Sequence, residues 1–415
     1  MLISLHTDQH IKDAVNIFGY AYGYNRICKH FNKFVYRNQK LNVVQNSPEA
    51  RVQMFYMEPE WYNLETMTSF RAPGFRKFYD HQYKIYGTHL ESTQAWPHWI
   101  ESMNQVDEIW TGNQFAANAV IESKVKTPVY VFEHGIDDGW TPKMRGKGSK
   151  IRFLHVDSGS PRKRADLVEK AFLTLFKGNT DVELTLKYHS HEYDGGFNVL
   201  DLFNDNKNVK KIYKTVTHEE MVELFHSHDV LVYPSEGEGF GFIPLQALAT
   251  GMPTISTGRW CSYEKYMPGN IIDSKLGRTT YTGYEYGDVV LAEFDSLVQL
   301  MENAYKNINS QAEFYYKQAP KVYKEYNWQG RCDTFLKSFI KRVGINMLKP
   351  DESKREPGKK LIYFKSGVAF CTHSGVKFDQ SNRLQEVPEF EFDNLLSQPN
   401  FREPSEEEII KHRGY

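Results

Sequence analysis

Apolar runs of strand length recur along this chain, separated by stretches of helical period. Met1–Leu5 reads as a first buried strand, and Asn25–Tyr36 as an amphipathic stretch. Tyr86–Thr93, Val106–Phe115 and Val129–Asp137 each carry a further apolar run, with helical segments between them. Lys143–Ser149 reads as a Gly/Lys linker with no apolar period. After it, Ile151–Val156 is predicted as a strand, Ala165–Phe176 as a helix and Val182–Tyr188 as a buried strand. His218–Phe225 is predicted as an amphipathic helix with Met221, Leu224 and Phe225 on one side. Asp229–Ser235 and Pro253–Thr257 read as strands, and Leu291–Ile308 and Gln311–Phe339 as closing helices. Strand–helix alternation implies parallel sheets, hence an α/β fold. Beyond the charged linker Lys349–Lys360, Leu361–Phe364, Val368–Cys371 and Val376–Phe378 read as short strands. Pro404–Ile410 opens a short helix, with Ser405 and Glu408 spaced as a capping box.

A chain of 415 residues is too long for one ordinary core, so two domains with additions are expected. Residues 1–145 form the first block and 150–335 the second; 349–415 are a linker and a small β-containing tail. Aromatic residues reach 14%, which fits either a ring-rich core or a surface that binds sugars or bases. The formal net charge of −1 argues against indiscriminate nucleic-acid binding but leaves room for a local basic face. Cys28, Cys261, Cys332 and Cys371 have no CxxC or zinc spacing and read as free buried thiols of a reducing compartment. No apolar stretch approaches the roughly 20 residues that span a bilayer. The apolar start of the chain is too short for a signal peptide, so a cytoplasmic location is expected.

One segment says more than the rest. The apolar run Asp229–Ser235 leads to Glu238-Gly-Phe-Gly-Phe-Ile-Pro-Leu-Gln246, and Ala247–Pro253 follows. A buried strand thus enters a glycine-bearing turn that opens a helix. Backbone N–H groups and the positive end of the helix dipole then point at one spot, suited to a phosphate or the polar edge of a sugar. Glu238, at the start of the turn, can accept hydrogen bonds from sugar hydroxyls.

This segment resembles the signature of family 4 retaining glycosyltransferases, which have the GT-B fold of two Rossmann-like domains facing a cleft. Their pattern places a second Glu eight positions after the first; position 246 here is Gln. Tyr86–Thr93, with its acid-Ser-Thr turn, Trp96–Trp99, Asp107-Glu-Ile-Trp110 and His134-Gly-Ile-Asp137 are similar to further stretches of the family. The likeness covers about residues 85 to 340, and it implies that residues 336–348 carry the last helix back to the first domain. It implies that Glu238 contacts the donor sugar and that Gln246 meets the ribose without a charge. Gly239, Phe240 and Gly241 belong to the same turn; Phe240 reads equally as packing. Arg162 and Lys163, after Ser158-Gly159, would hold the diphosphate, and Arg164 could substitute for Arg162. The same residues also read as a solvated basic turn. His89 would contact the sugar and Glu91 the acceptor hydroxyl, His134 would act at a hinge, and Gly23 would sit in a glycine loop between the substrates. Glu236 reads as a solvated loop acid.

Implied is a donor that is a nucleotide-diphosphate sugar, UDP- or GDP-linked, with no bound cofactor and no metal required. His189-Ser-His191 with Glu192 and Asp194 could suggest a metal cluster, but Gly195-Gly196 argues for a loop. No Gly-x-Gly-x-x-Gly follows the first strand, which disfavours a dehydrogenase. Two acceptors compete, and the reading leans to the first. One is a hydroxymethylated base in DNA, as in bacteriophage enzymes, which would place the chain in the cytoplasm of an infected host. Basic residues interleave with aromatics in Tyr20–Arg37 and Arg71–Tyr79, a texture that suits phosphate contacts and base stacking and equally an amphipathic helix. The other is a glycan or lipid-linked hydroxyl. A relative that only binds nucleotide sugars stays open as well, because of Gln246.

Overall fold

The computed structural model describes residues 1–6, 19–44, 50–56, 62–63, 68–69, 82–146, 148–188, 207–279, 286–349, 359–365, 369–371, 376–379, 382–388, 392, 395–405 and 407–409. The first sheet contains β1 (Leu2–His6), β2 (Asn42–Val44), β3 (Val52–Tyr56), β4 (Tyr83–Thr88), β5 (Glu108–Thr111) and β6 (Val129–Val131). Their order is β6-β5-β4-β3-β1-β2, and every pairing is parallel. The second sheet contains β7 (Ile151–Val156), β8 (Val182–Tyr188), β9 (Val209–Tyr213), β10 (Val230–Tyr233), β11 (Thr254–Thr257) and β12 (Ile271–Ile272). Its order is β9-β8-β7-β10-β11-β12, again all parallel. Parallel strands are covered on both faces, which is why β3, β10 and β11 are buried along their whole length.

Helices α1 (Gly19–Phe31), α2 (Pro97–Met103) and α3 (Gln114–Glu122) belong to the first sheet, and α4 (Ala165–Phe176), α5 (His218–His226) and α6 (Phe242–Ala249) to the second. A capping box between Thr217 and Glu220 starts α5, and Met221 and Phe225 are its buried face; Leu224 is half-buried. Lys143–Ser149, expected to be a plain linker, is fastened to the second half. The buried guanidinium of Arg145 donates to the carbonyls of Phe225, His228 and Thr250.

Two expectations shift. The amphipathic stretch read from Asn25 lies in a helix that begins at Gly19 and ends at Phe31; Tyr24, Ile27 and Phe31 are buried on one face and Tyr22 on the opposite side. Gly23 therefore lies inside a helix, not in a loop ahead of one. The closing helices divide as α7 (Phe294–Lys306), α8 (Ile308–Tyr326) and α9 (Trp328–Val343). The Asn327 side chain accepts from the Gly330 N–H and starts α9. The return to the first sheet thus begins at Trp328, not at residue 336. Phe335 and Phe339 meet Trp110 edge-on at 4.6 and 5.2 Å, and Arg342 grips the buried Glu108 at 2.9 and 3.0 Å. Trp110 and Phe339 are buried and Phe335 is half-buried; full burial of such an apolar side chain contributes roughly 1.5–3 kcal/mol.

In the tail, Lys359–Phe364 pairs antiparallel with Leu384–Pro388 and with Phe401–Arg402. Ala369–Cys371 pairs with Lys377–Asp379. Ile362, Phe364, Phe378, Val387 and Phe401 give the tail a core of its own. The Ser405–Glu408 capping box forms in both directions. Of the cysteines, Cys261 and Cys332 are free and buried and Cys28 is free and half-buried; the side chain of Cys371 lies outside the described residues. So do Arg71–Tyr79 and His189–Gly196.

Candidate active site

Strand β10 ends at Tyr233, and residues 234–241 carry the chain to α6. Gly241 begins the helix at φ +82°, a left-handed conformation that favours glycine, and no side chain caps the helix there. The N–H groups of the first turn of α6 thus start from bare backbone, beside Glu238. The turn lies against the first domain. A side chain at Gly239 would run into the His89 ring. Asn113 accepts from the Ala116 N–H and so caps α3, while its amide nitrogen donates to the carbonyls of Glu238 and Gly239 at 2.8 and 3.0 Å. One residue both starts a first-domain helix and holds the second-domain turn.

The basic turn follows β7. Lys163 is buried and its ammonium donates to Oε1 of Glu238. The same oxygen accepts from the Ser235 hydroxyl at 2.6 Å and the Tyr233 hydroxyl at 2.9 Å. Arg162 reaches Oε1 of Glu91 at 2.7 Å and Oε1 of Glu238 at 3.6 Å. Arg164, offered as a substitute for Arg162, is engaged elsewhere: it pairs with Glu236 at 2.6 Å and with Asp166 at 2.9 Å. Glu236, expected to be a solvated acid, is fully buried in that pair. Its position under Val290, whose N–H donates to the Glu236 carbonyl, removes it from solvent.

Three carboxylates, Glu91, Asp157 and Glu238, and the two cations Arg162 and Lys163 therefore face one cavity of about 190 Å³. Of the predicted residues, His89, Glu91, Ser158, Arg162, Lys163, Glu238, Gly239, Phe240 and Gly241 line it. Phe240 is also packed edge-on against Phe242 and Tyr263. Gly159 does not line the cavity, although its N–H donates to Asp157, which does. Gln246 is wholly buried in α6 behind the wall, and Gly23 is in α1; neither lines it. Asp157 and Tyr233 are lining residues that sequence reasoning passed over. Tyr233 and Ser235 stood within the apolar run that announced the motif, and Asp157 immediately after a predicted strand.

Burial and pairing set the charges. Burial pushes the Glu238 carboxyl up, but Lys163, Arg162 and the Ser235 hydroxyl outweigh it and hold it below its ordinary value. For Glu91 burial wins over Arg162 and Lys163, and its pKa is raised. Burial and then Arg162 lower Lys163, against the pull of Glu238 and Glu91. Burial lowers His89 to about 4, so the ring is neutral. Among the described residues no cluster of His, Cys, Asp or Glu is arranged to hold a metal ion, and no helix is long and apolar enough to cross a membrane.

His134 lies in the core between the two halves. It stacks on Phe242 and Trp328, and its Nε2 is 2.7 Å from the Tyr56 hydroxyl. The basic–aromatic stretch of α1 resolves differently from a stacking surface. Tyr22, Tyr24, Phe31 and Phe34 are core residues, and Lys29, Lys33, Arg37 and Lys40 are exposed. The aromatic half of that pattern belongs to packing, since the helix must bury one face against β2 and α9.

Comparison with known proteins agrees with this architecture. The family model of glycosyl transferases group 1 matches residues 141–267, the part of the chain that carries the basic turn and the glycine turn. No curated protein sequence matches the chain. Among solved structures, sucrose-phosphate synthase from Thermosynechococcus elongatus is similar in fold at 10% identity and a TM-score of 0.55, covering 82% of this chain and 98% of that one. TarM of S. aureus, solved with alpha-GlcNAc-glycerol and UDP, is similar at 14% identity and a TM-score of 0.50, covering 71% of this chain and 56% of that one. The UDP-forming trehalose-phosphate synthase from Burkholderia xenovorans is similar at 13% identity and a TM-score of 0.50, covering 69% and 72%. The chain thus spans about half the length of TarM. The two parallel-sheet halves form a GT-B fold, and the match to the glycosyl transferase group 1 model falls within its second half.

Proposed function

We propose that this chain, built on a GT-B fold with a group 1 glycosyltransferase domain, is a retaining glycosyltransferase. It would move a sugar from a nucleoside-diphosphate sugar, UDP- or GDP-linked, to a hydroxyl. One observation carries the reading. Arg162, Lys163 and Glu238 of the second half and His89 and Glu91 of the first converge on a single cavity, beyond the carboxyl ends of both sheets. In this reading Arg162, Lys163 and the uncapped start of α6 take the charge that grows on the leaving diphosphate. Glu238 and His89 meet the sugar, and Glu91 meets the incoming hydroxyl. Gly239 and Gly241 let the backbone come close to the donor. An oxygen of the leaving phosphate accepts the acceptor's proton, so no protein nucleophile is needed, and the rate comes from positioning and electrostatics. Gly23 and Gln246 lie off the wall, and no donor contact is assigned to them.

The acceptor favoured here is the hydroxyl of a glycan or another small molecule. Tyr22, Tyr24 and Phe31 of α1, which could have stacked on a flipped base, are in the core. A hydroxymethylated DNA base remains the second reading, supported by the exposed Lys29, Lys33, Arg37 and Lys40 of the first half. A thermal-shift screen against UDP, GDP, ADP and their sugars tests the donor. NMR of the product anomer tests retention. Duplex DNA binding that weakens steeply with salt would support the second acceptor; binding that ignores salt counts against it. Stable donor binding with no hydrolysis or transfer to any acceptor would mark a binder rather than an enzyme.

A further inference from the structure

A second cavity, of about 410 Å³, lies where the two halves are joined. That volume is within the roughly 300–1,000 Å³ of small-molecule sites. The chain leaves the first half through residues 136–138 and comes back to it at Asn327. The two crossings pair with each other: Ile136 and Asn327 form a bridge, and the Ile136 N–H donates to the Tyr326 carbonyl at 2.7 Å. Both crossings line the cavity, and α1 of the first half and the start of α5 of the second complete its wall. Arg26, Lys29, His30 and Lys33 follow the spacing i, i+3, i+4 and i+7, so one side of α1 and its closing turn supplies all four.

The acids of the cavity are already engaged. Asp137 accepts from Arg26 and from the Tyr22 hydroxyl, both at 2.8 Å. Asp138 accepts from the Tyr323 hydroxyl, and Glu219 from its own backbone N–H and Thr217. Lys29 and Lys33 are exposed, and neither makes an ion pair among the described residues. Cations are favoured at a helix C-terminus, which accounts for two lysines there. It does not account for the histidines. His30 is 9% exposed; its Nδ1 is 3.0 Å from Oε1 of Gln329, and its buried Nε2 has no hydrogen-bond partner. Both ring nitrogens of His218, at the start of α5, are likewise buried without a partner. Buried polar atoms ordinarily find one. Burial lowers the His30 pKa, and Lys29 and Lys33 push the same way, so the positive field of the two lysines reaches this ring.

We propose that this cavity is a second ligand site, separate from the donor cavity, for a small phosphorylated polyol of the sugar-phosphate class. Lys29 and Lys33 take the phosphate dianion, His30 and His218 turn their unpartnered nitrogens to the ligand, and Asp138 and Glu219 accept from its hydroxyls. A ligand so held touches both halves and both crossings. Titration calorimetry of the full chain with a hexose 6-phosphate tests the site. Lys29→Ala/Lys33→Ala should weaken binding by about tenfold or more, since two charge-assisted contacts go. Lys163→Met in the donor cavity, and Arg37→Ala/Lys40→Ala on exposed positions outside both cavities, should each leave it within about twofold. No binding to the wild type overturns the proposal. So does a loss confined to Lys163→Met, which would seat the phosphate with the donor, or an equal loss in Arg37→Ala/Lys40→Ala, which would mean diffuse attraction. Duplex DNA that displaces the hexose phosphate and depends equally on all four exposed cations would give the basic face to nucleic acid and overturn it too. Where the lysine variant fails to fold, the wild type decides by itself. In ¹H–¹⁵N spectra of its histidine rings, assigned through His30→Gln and His218→Gln, both rings should move when the hexose phosphate is added; rings that stay in place refute the site.

Discussion

One carboxylate oxygen of Glu238 collects Lys163, Tyr233 and Ser235, with Arg162 at 3.6 Å. Read from sequence, loss of this acid should cost turnover and leave the core closed. Its burial changes that expectation, because truncation leaves Lys163 buried beside no counter-ion. Breaking a buried pair costs about 3–5 kcal/mol, less here to the extent that Lys163 sheds its proton. Glu238→Ala should therefore lower both turnover and Tm. Adding Lys163→Met should restore part of the Tm and none of the activity; calorimetric melting of both variants checks this, and a Tm unmoved in the single variant would refute it. Glu91 is placed to compete with the donor. Its carboxylate occupies Arg162, which a diphosphate would need. Glu91→Gln should raise UDP or GDP affinity roughly fivefold, near 1 kcal/mol for a half-buried pair. Titration calorimetry showing equal or weaker binding would exclude such competition.

At the scale of elements, the cavity depends on a seam between α3 and the glycine turn. Asn113 serves both, so Asn113→Ala removes a helix cap worth about 1 kcal/mol and two bonds to the turn. A fall in Tm larger than a cap alone explains is expected, together with weaker nucleotide binding. A fall of cap size with binding intact would mean the seam is held by other contacts. Gly239→Ala acts on the same seam from the other side. The added methyl meets the His89 ring, so the halves must part, and small-angle scattering should report a larger radius of gyration. An unchanged radius would show that His89 can turn aside.

Across the whole molecule, buried neutral histidines set an acid limit. Burial lowers His89 and His228 to about 4 from an ordinary value of 6.5, and Arg152 and Lys210 also disfavour charge on His228. A folded-state pKa below the unfolded one means that the unfolded chain binds more protons in the window between them. Stability from these groups is complete above about pH 6.5 and is lost as pH falls toward about 4. Tm should decline through that range, and His228→Gln, which keeps polar reach toward Thr185, should flatten the decline. A slope identical in the variant would place the limit elsewhere. The fused core acts at this scale too. Tyr22 meets Phe242 edge-on at 4.9 Å, and Trp328 stacks on His134, so α1, α6 and α9 join both halves in one apolar cluster.

Much of this was legible in the chain itself. Strand and helix order, parallel sheets, the glycine turn at Glu238, the basic turn at Lys163 and the tail's capping box follow from periodicity and from chemistry within a few residues. Those features are local, and local rules determine them. Tertiary structure alone decided the rest. It buried Glu236 against Arg164, sent Tyr22, Tyr24 and Phe31 of α1 into the core, buried Gln246 away from the cavity lining and began the crossing helix at Trp328. It also brought His89, Asn113 and Glu91 to a turn far along the chain. Burial, ion pairing and proton placement depend on which distant segments share a boundary, and no window of sequence contains both sides of it.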